Sequence, residues 1–156
     1  MQVLIPTKLS TVAKDILEKE GYEVIQEAGS NLIDLAAQYP NTVGMIVRSE
    51  KITAEVIDAL PNLKLVVRAG AGFNTIDHKY ARSKGVAVMN TPGANSNAVA
   101  EEVVGLMIAG CRHFVAGDKS TRSGLWEKAK FMGSELTGKK VGILGFGNIG
   151  QLLATR

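Results

Sequence analysis

The chain has 156 residues, a formal charge of +3, and 46% hydrophobic against 21% charged residues, enough for one well-cored domain or for one domain and part of another. That balance indicates neither a disordered nor a membrane class, and a modest positive charge with 5% aromatic residues argues against a nucleic-acid platform. No basic-then-apolar leader opens the chain, and the apolar run at 103–109 is too short to span a bilayer. One cysteine, Cys111, fits a packing role in a reducing cytoplasm.

From the N-terminus to the loop at 90–97, short β-rich runs alternate with helical stretches, as in a parallel-sheet α/β domain. Strands are predicted at 3–5, 23–25, 44–47, 65–68 and 86–89. Helices are predicted at 12–20, 32–39, 54–60 and 78–84, each opened by a Ser, Thr or Asn able to cap it and several closed by Gly or Pro. The longest helix is predicted from 98 to about 115, capped by Asn97 or Ser96, with Glu101 and Glu102 in a first turn where carboxylates suit the helix dipole. Val99, Val103, Met107, Cys111 and Phe114 mark one face and Ala100, Val104, Ile108 and Val115 another, so both sides are expected to be covered. Gly105, Ala109 and Gly110 leave room for a second helix, at a domain junction or a subunit interface. The stretch 118–138 is polar and glycine-interrupted, yet it carries Leu125, Trp126, Phe131 and Met132, the composition of an arm that packs against something.

Last in chain order, an apolar strand at 140–144 is expected to run into Gly145-Phe146-Gly147-Asn148-Ile149-Gly150, with Gln151 to Ala154 as a first helical turn. In a βαβ dinucleotide site Gly145 makes the tight turn, Gly147 lets the backbone approach the pyrophosphate, and Gly150 lets the helix pack closely, with the pyrophosphate at the helix N-terminus. The acidic residue that binds the ribose about 20 positions further on in such sites falls after Arg156. The chain is thus divided into 1–95, a sheet domain, 96–138, the long helix and arm, and 139–156, the start of a dinucleotide-binding domain.

Three polar or glycine-rich turns follow predicted strands, the edge at which open α/β sheets bind ligands. Arg48-Ser49-Glu50 offers a guanidinium fork and a hydroxyl for a carboxylate or phosphate. Arg68-Ala69-Gly70-Ala71-Gly72-Phe73-Asn74 offers flexible backbone with N–H groups for an anion. The third, from Asn90 to Asn97, leads into the N-terminus of the long helix.

These turns and the glycine fingerprint, together with Val47-Arg48-Ser49, Arg68 to Asp77, Gly85 to Gly93, Val99-Ala100-Glu101 and Val141 to Gly150, resemble the D-isomer-specific 2-hydroxyacid dehydrogenase family over essentially the whole chain. The segment from Gly124 to Leu136 is similar to the branch that acts on a phosphorylated 2-hydroxy acid. The resemblance implies a flavodoxin-like substrate domain followed by the truncated start of a Rossmann domain, with NAD as cofactor; the two apolar helix faces and the arm point to a homodimer, and no nucleic-acid, membrane or metal partner is expected. It implies that Ala71 and Gly72 hold the substrate carboxylate, with Asn95 in the same pocket and Arg48 and Arg68 nearby; beside these, Ser49 offers its hydroxyl, and Lys128 and Lys130, on an arm able to reach a cleft, add charge for a phosphate. Val99, Gly145, Gly147, Asn148, Ile149 and Gly150 are the implied cofactor residues. The family's acid/base histidine, its carboxylate partner and its arginine match nothing here; His78 and His113 are expected to be structural, and the 156 residues alone to turn nothing over. Another D-2-hydroxy acid as substrate, or a non-catalytic binding or dimerisation module, remain the alternatives.

Overall fold

In the strands of the first unit, side chains alternate between two apolar layers, and this alternation decides which helices lie where. The computed structural model describes residues 1–156, which divide into two compact units, Met1–Pro92 and Gly93–Arg156. In the first unit β1 (Gln2–Ile5), β2 (Glu23–Gln26), β3 (Thr42–Val47), β4 (Leu65–Arg68) and β5 (Ala87–Asn90) form one parallel sheet in the order β2-β1-β3-β4-β5. This is the flavodoxin-like order, whose direction of growth reverses between β1 and β3.

Leu4, Met45, Val47 and Val66 point into the larger core with Leu35 and Ala36 of α2 (Leu32–Gln38), Val56 and Ile57 of α3 (Ala54–Asp58) and Ala81 of α4 (His78–Ser83). Val3, Ile5 and Ile46 face the other way, against Ala13 and Leu17 of α1 (Val12–Lys19). Within this unit α1 is alone on that face, and Ile46, Leu65 and Val67 line an apolar groove of about 480 Å³ beside it.

Side-chain caps explain three of the four helix starts in this unit. Asn31 accepts from the Ile33 amide, and Thr53 accepts from Val56. Helix α4 differs from the expectation of Ser, Thr or Asn: its cap is Asp77, which accepts from the Tyr80 amide at 3.0 Å. Thr11 begins α1 without a side-chain cap bond.

The second unit departs further from the sequence reading. Helix α5 (Ser96–Cys111) begins after Asn95, which makes no side-chain cap bond, and Glu101 and Glu102 lie past its first turn. It ends at Cys111 rather than running to 115. The chain returns there: the Ser134 amide donates to the Cys111 carbonyl at 2.9 Å, and a Cβ on Gly133 would collide with that carbonyl. Cys111 thereby gains an acceptor role outside the helix ladder, and His113 turns to φ +56° before α6 (Phe114–Arg122). Of the expected apolar faces, Ala100 is buried, whereas Ile108, Phe114 and Val115 are exposed. The arm contains the rest of α6 and a 3₁₀ turn, Lys128–Phe131, with Trp126 85% and Met132 79% exposed.

The strand expected at 140–144 does not form, and Leu144 is fully exposed. A strand exists through its ladder of inter-strand hydrogen bonds, and no other strand lies in this unit to provide one. Helix α7 (Asn148–Ala154) does form and packs on α5. No helix is long and apolar enough to cross a membrane.

Candidate functional site

At the reversal point, two successive turns meet around charged groups. The amides of Arg48 and Ser49, just past the end of β3, both donate to one carboxylate oxygen of Glu50, at 2.8 and 3.0 Å. Thr7, just past the end of β1, is buried, and its hydroxyl favours the ionised form of the same carboxylate. Burial pushes the Glu50 carboxyl up, but the Arg48 amide, the Thr7 hydroxyl and the amides of Glu50 and Ser49 outweigh it and hold the group below its ordinary value. This tie is therefore complete at neutral pH and is lost as pH falls through the lowered value.

Arg68, the last residue of β4, joins this turn to the next. Its Nε donates to the Arg48 carbonyl at 2.9 Å and its Nη1 to the Gly72 carbonyl at 2.8 Å. The guanidinium lies over Gly70, where an added Cβ would come within 2.6 Å of Nη1, so the absent side chain is what lets it pass. From the β5 side, Asn90 Nδ2 donates to the Ala71 carbonyl at 2.6 Å and the Thr91 amide to the Gly70 carbonyl at 3.0 Å. With its carbonyls engaged this way, the loop leaves the amides of Ala71 and Gly72 without an acceptor in the chain. Neither Arg48 nor Arg68 is paired with a carboxylate. Two free N–H groups next to uncompensated guanidinium charge are donors of the kind a carboxylate accepts from.

The second unit holds the other candidate group. Gly145 has φ +97°, a conformation that favours glycine, and Gly150 is buried where a Cβ would collide with the Gly145 carbonyl. Gly147 is the N-cap of α7, with its carbonyl accepting from Gln151 at 3.0 Å, so Asn148 and Ile149 stand in the first, open turn. Gly93, in the loop before α5, lies beside Asn148, and Val99 is half-buried on α5. Arg156 ties α7 to α5 through Asn97 and, at 3.5 Å, Glu101. The turn, the close glycine contact and the helix N-terminus fit the pyrophosphate of a dinucleotide.

The structure thus brings Arg48, Ser49, Arg68, Ala71 and Gly72 to one edge of the first unit. Asn95, Lys128 and Lys130 belong to the second unit. There the Lys130 ammonium is engaged by Glu127, whose carboxylate also accepts from Ser120 Oγ at 2.9 Å. The sequence reading assigned no role to Thr7 or Asn90, and it passed over Glu50 in a turn it had singled out. Glu50 had a readable signal, a carboxylate adjacent to the two amides it accepts from; Thr7 and Asn90 had none, because their partners are distant in sequence.

The family model described as D-isomer specific 2-hydroxyacid dehydrogenase, catalytic domain, matches residues 3–149. The chain belongs to that family. Among the D-isomer specific 2-hydroxyacid dehydrogenase relatives, the D-3-phosphoglycerate dehydrogenase of Archaeoglobus fulgidus is 40% identical over 157 residues, covering 100% of this chain and 30% of the relative. The hydroxypyruvate reductase of Thermotoga maritima is 44% identical over 142 residues, covering 90% of this chain and 46% of the relative. A crystal structure of 3-phosphoglycerate dehydrogenase from Entamoeba histolytica with bound NAD+ superposes with a TM-score of 0.77 at 33% identity, over 99% of this chain and 49% of that one. The chain therefore spans between 30% and 49% of the length of these relatives.

Proposed function

We propose that this chain forms the substrate-binding part and the opening of the cofactor site of an NAD-dependent D-3-phosphoglycerate dehydrogenase. The observation that carries the reading is the pair of unspent amides at Ala71 and Gly72, held beside Arg68 at the C-terminal edge of the sheet. They receive the substrate carboxylate, while Arg48, exposed and unpaired at the neighbouring turn, receives the phosphate. NAD, when bound, supplies the hydride acceptor for oxidation of the 2-hydroxy acid to the 2-oxo acid. The Gly145–Gly150 turn and the α7 N-terminus hold its pyrophosphate. The names of the A. fulgidus and E. histolytica relatives support the phosphorylated substrate, and that of the T. maritima relative supports a non-phosphorylated one.

Titration of the chain with 3-phosphoglycerate and with D-glycerate, followed by amide NMR, tests this reading. Both ligands should move the Ala71 and Gly72 signals. Arg48→Ala should weaken 3-phosphoglycerate about ten-fold, since 1.4 kcal/mol corresponds to a factor of ten and a charge-assisted bond to phosphate is worth at least that. D-glycerate should change little. Equal losses for the two ligands would assign Arg48 no part in reading the phosphate.

The same reading includes a homodimer built on α5 and the arm. Leu106, Trp126 and Met132 are exposed and apolar, and Gly105 has open space where a Cβ would stand. Gly105→Phe therefore leaves the fold of the chain alone and obstructs an apposed helix. Light scattering should give a dimer for the wild type and a monomer for the variant; a monomer in both cases removes the interface.

A further inference from the structure

The peptide of Arg48 is held on both sides while its side chain is left free. Its N–H donates to the Glu50 carboxylate at 2.8 Å, and its carbonyl accepts from Arg68 Nε at 2.9 Å. The same Glu50 oxygen takes the Ser49 amide at 3.0 Å, so two consecutive peptides of the turn converge on one acceptor. The Arg48 side chain is exposed and forms no ion pair. Glu50, two residues on and half-buried, is thus turned to the backbone amides and not to the guanidinium, and the Thr7 hydroxyl favours its ionised form.

We propose that Glu50 is a positioning residue for the phosphate: by holding the N–H groups of Arg48 and Ser49, it fixes the turn from which the Arg48 guanidinium meets that group. The inference rests on the reading that Arg48 receives the phosphate of a phosphorylated 2-hydroxy acid. A loose turn loses freedom when a ligand orders it, so a turn ordered in advance binds more tightly than a loose one carrying the same arginine. The charge of Glu50 acts in the opposite sense, since a carboxylate near a phosphate repels it. Dissolved salt at this open edge weakens that repulsion and leaves the hydrogen-bonded geometry in place. Position and charge therefore predict opposite signs when the side chain is removed. A merely structural role, tying the turn into the unit at large, predicts a third result, in which every ligand is weakened alike.

Titration of the 156-residue chain with 3-phosphoglycerate and with D-glycerate at constant ionic strength, followed by amide NMR, separates the three. Glu50→Ala should bind 3-phosphoglycerate about five-fold more weakly than the wild type, within the factor that ordering one side chain costs on binding, and D-glycerate within about two-fold of it. Glu50→Met, which keeps the length of the side chain and has no oxygen, should behave in the same way. Glu50→Gln keeps an oxygen for both amides and loses the charge, so it should bind 3-phosphoglycerate at least as tightly as the wild type. In an Arg48→Ala background Glu50→Ala should change nothing further, because the group it positions is gone. Glu50 belongs to neither apolar core, so the variants should keep the dispersed spectrum of the wild type, with faster solvent exchange at the Arg48 and Ser49 amides in Glu50→Ala and Glu50→Met. Unchanged or tighter binding of 3-phosphoglycerate by Glu50→Ala and Glu50→Met, equal losses for the two ligands, a loss in Glu50→Gln as large as in Glu50→Ala, or a further loss in the Arg48→Ala background each overturns the role of Glu50. Arg48→Ala alone reports on the underlying reading: if it does not weaken 3-phosphoglycerate selectively, Arg48 does not read the phosphate and the role of Glu50 falls with it.

Discussion

Replacing Leu4 with alanine should lower the stability of the Met1–Pro92 unit by about 2–5 kcal/mol, the usual cost of truncating a fully buried leucine. Leu4 is at the centre of β1, the strand between β2 and β3, and it is wholly buried in the cluster with Leu35, Met45 and Val66. Helices on that face stand on a rigid sheet, so the lost methyl groups leave a cavity that collapses only in part. Urea unfolding should show a lower midpoint with an unchanged slope. Met89→Ala, at a position 57% exposed on β5, should stay within about 0.5 kcal/mol. A loss below about 1 kcal/mol for Leu4→Ala would mean that the core is not organised around β1.

The first unit was legible because its signals are local. The run at 65–68 read as a strand and is β4, since branched apolar residues fill a strand buried in a parallel sheet without regard to their partners. Asn31 and Thr53 cap helices through bonds to amides two or three residues on, which the sequence displays directly. The second unit was less legible because its features are set by contacts between distant residues. The end of α5 follows from the return of Gly133 and Ser134 to Cys111, and nothing near Cys111 announces that contact. The run at 140–144 has the composition of a strand and lacks the partner a strand needs. The glycines at 145 and 150 were readable since each answers a local requirement, a positive φ and a close approach, whereas Gly147 caps α7 in a conformation open to other residues and its expected approach to a pyrophosphate belongs to the proposed cofactor site. At the site, Ala71 and Gly72 were placed by resemblance. The reason their amides stay free, the hold of Arg68 and Asn90 on the loop carbonyls, appears only when β3, β4 and β5 are set side by side.

Arg68→Lys should impair the anion site almost as much as Arg68→Ala, with the affinity for 3-phosphoglycerate falling roughly thirty-fold in both and the two variants within about three-fold of each other. The guanidinium is a fork that reaches the Arg48 and Gly72 carbonyls from two different nitrogens. A lysine ammonium keeps the charge but is a single point on a flexible stem, so it cannot hold both turns in one geometry. Two bonds from a charged donor to carbonyls of exposed residues, discounted for solvent, amount to about 2 kcal/mol, which corresponds to the stated factor. Amide shifts at Ala71 and Gly72 should move in the free form of each variant, before any ligand is added. Full recovery by lysine would mean that Arg68 contributes charge alone. Gly70 gives an independent check on the same geometry, since its φ is not in the left-handed region and only the guanidinium lying over it forbids a side chain. Gly70→Ala should destabilise the wild type more than it destabilises Arg68→Ala, because the second background has nothing left for the new Cβ to strike.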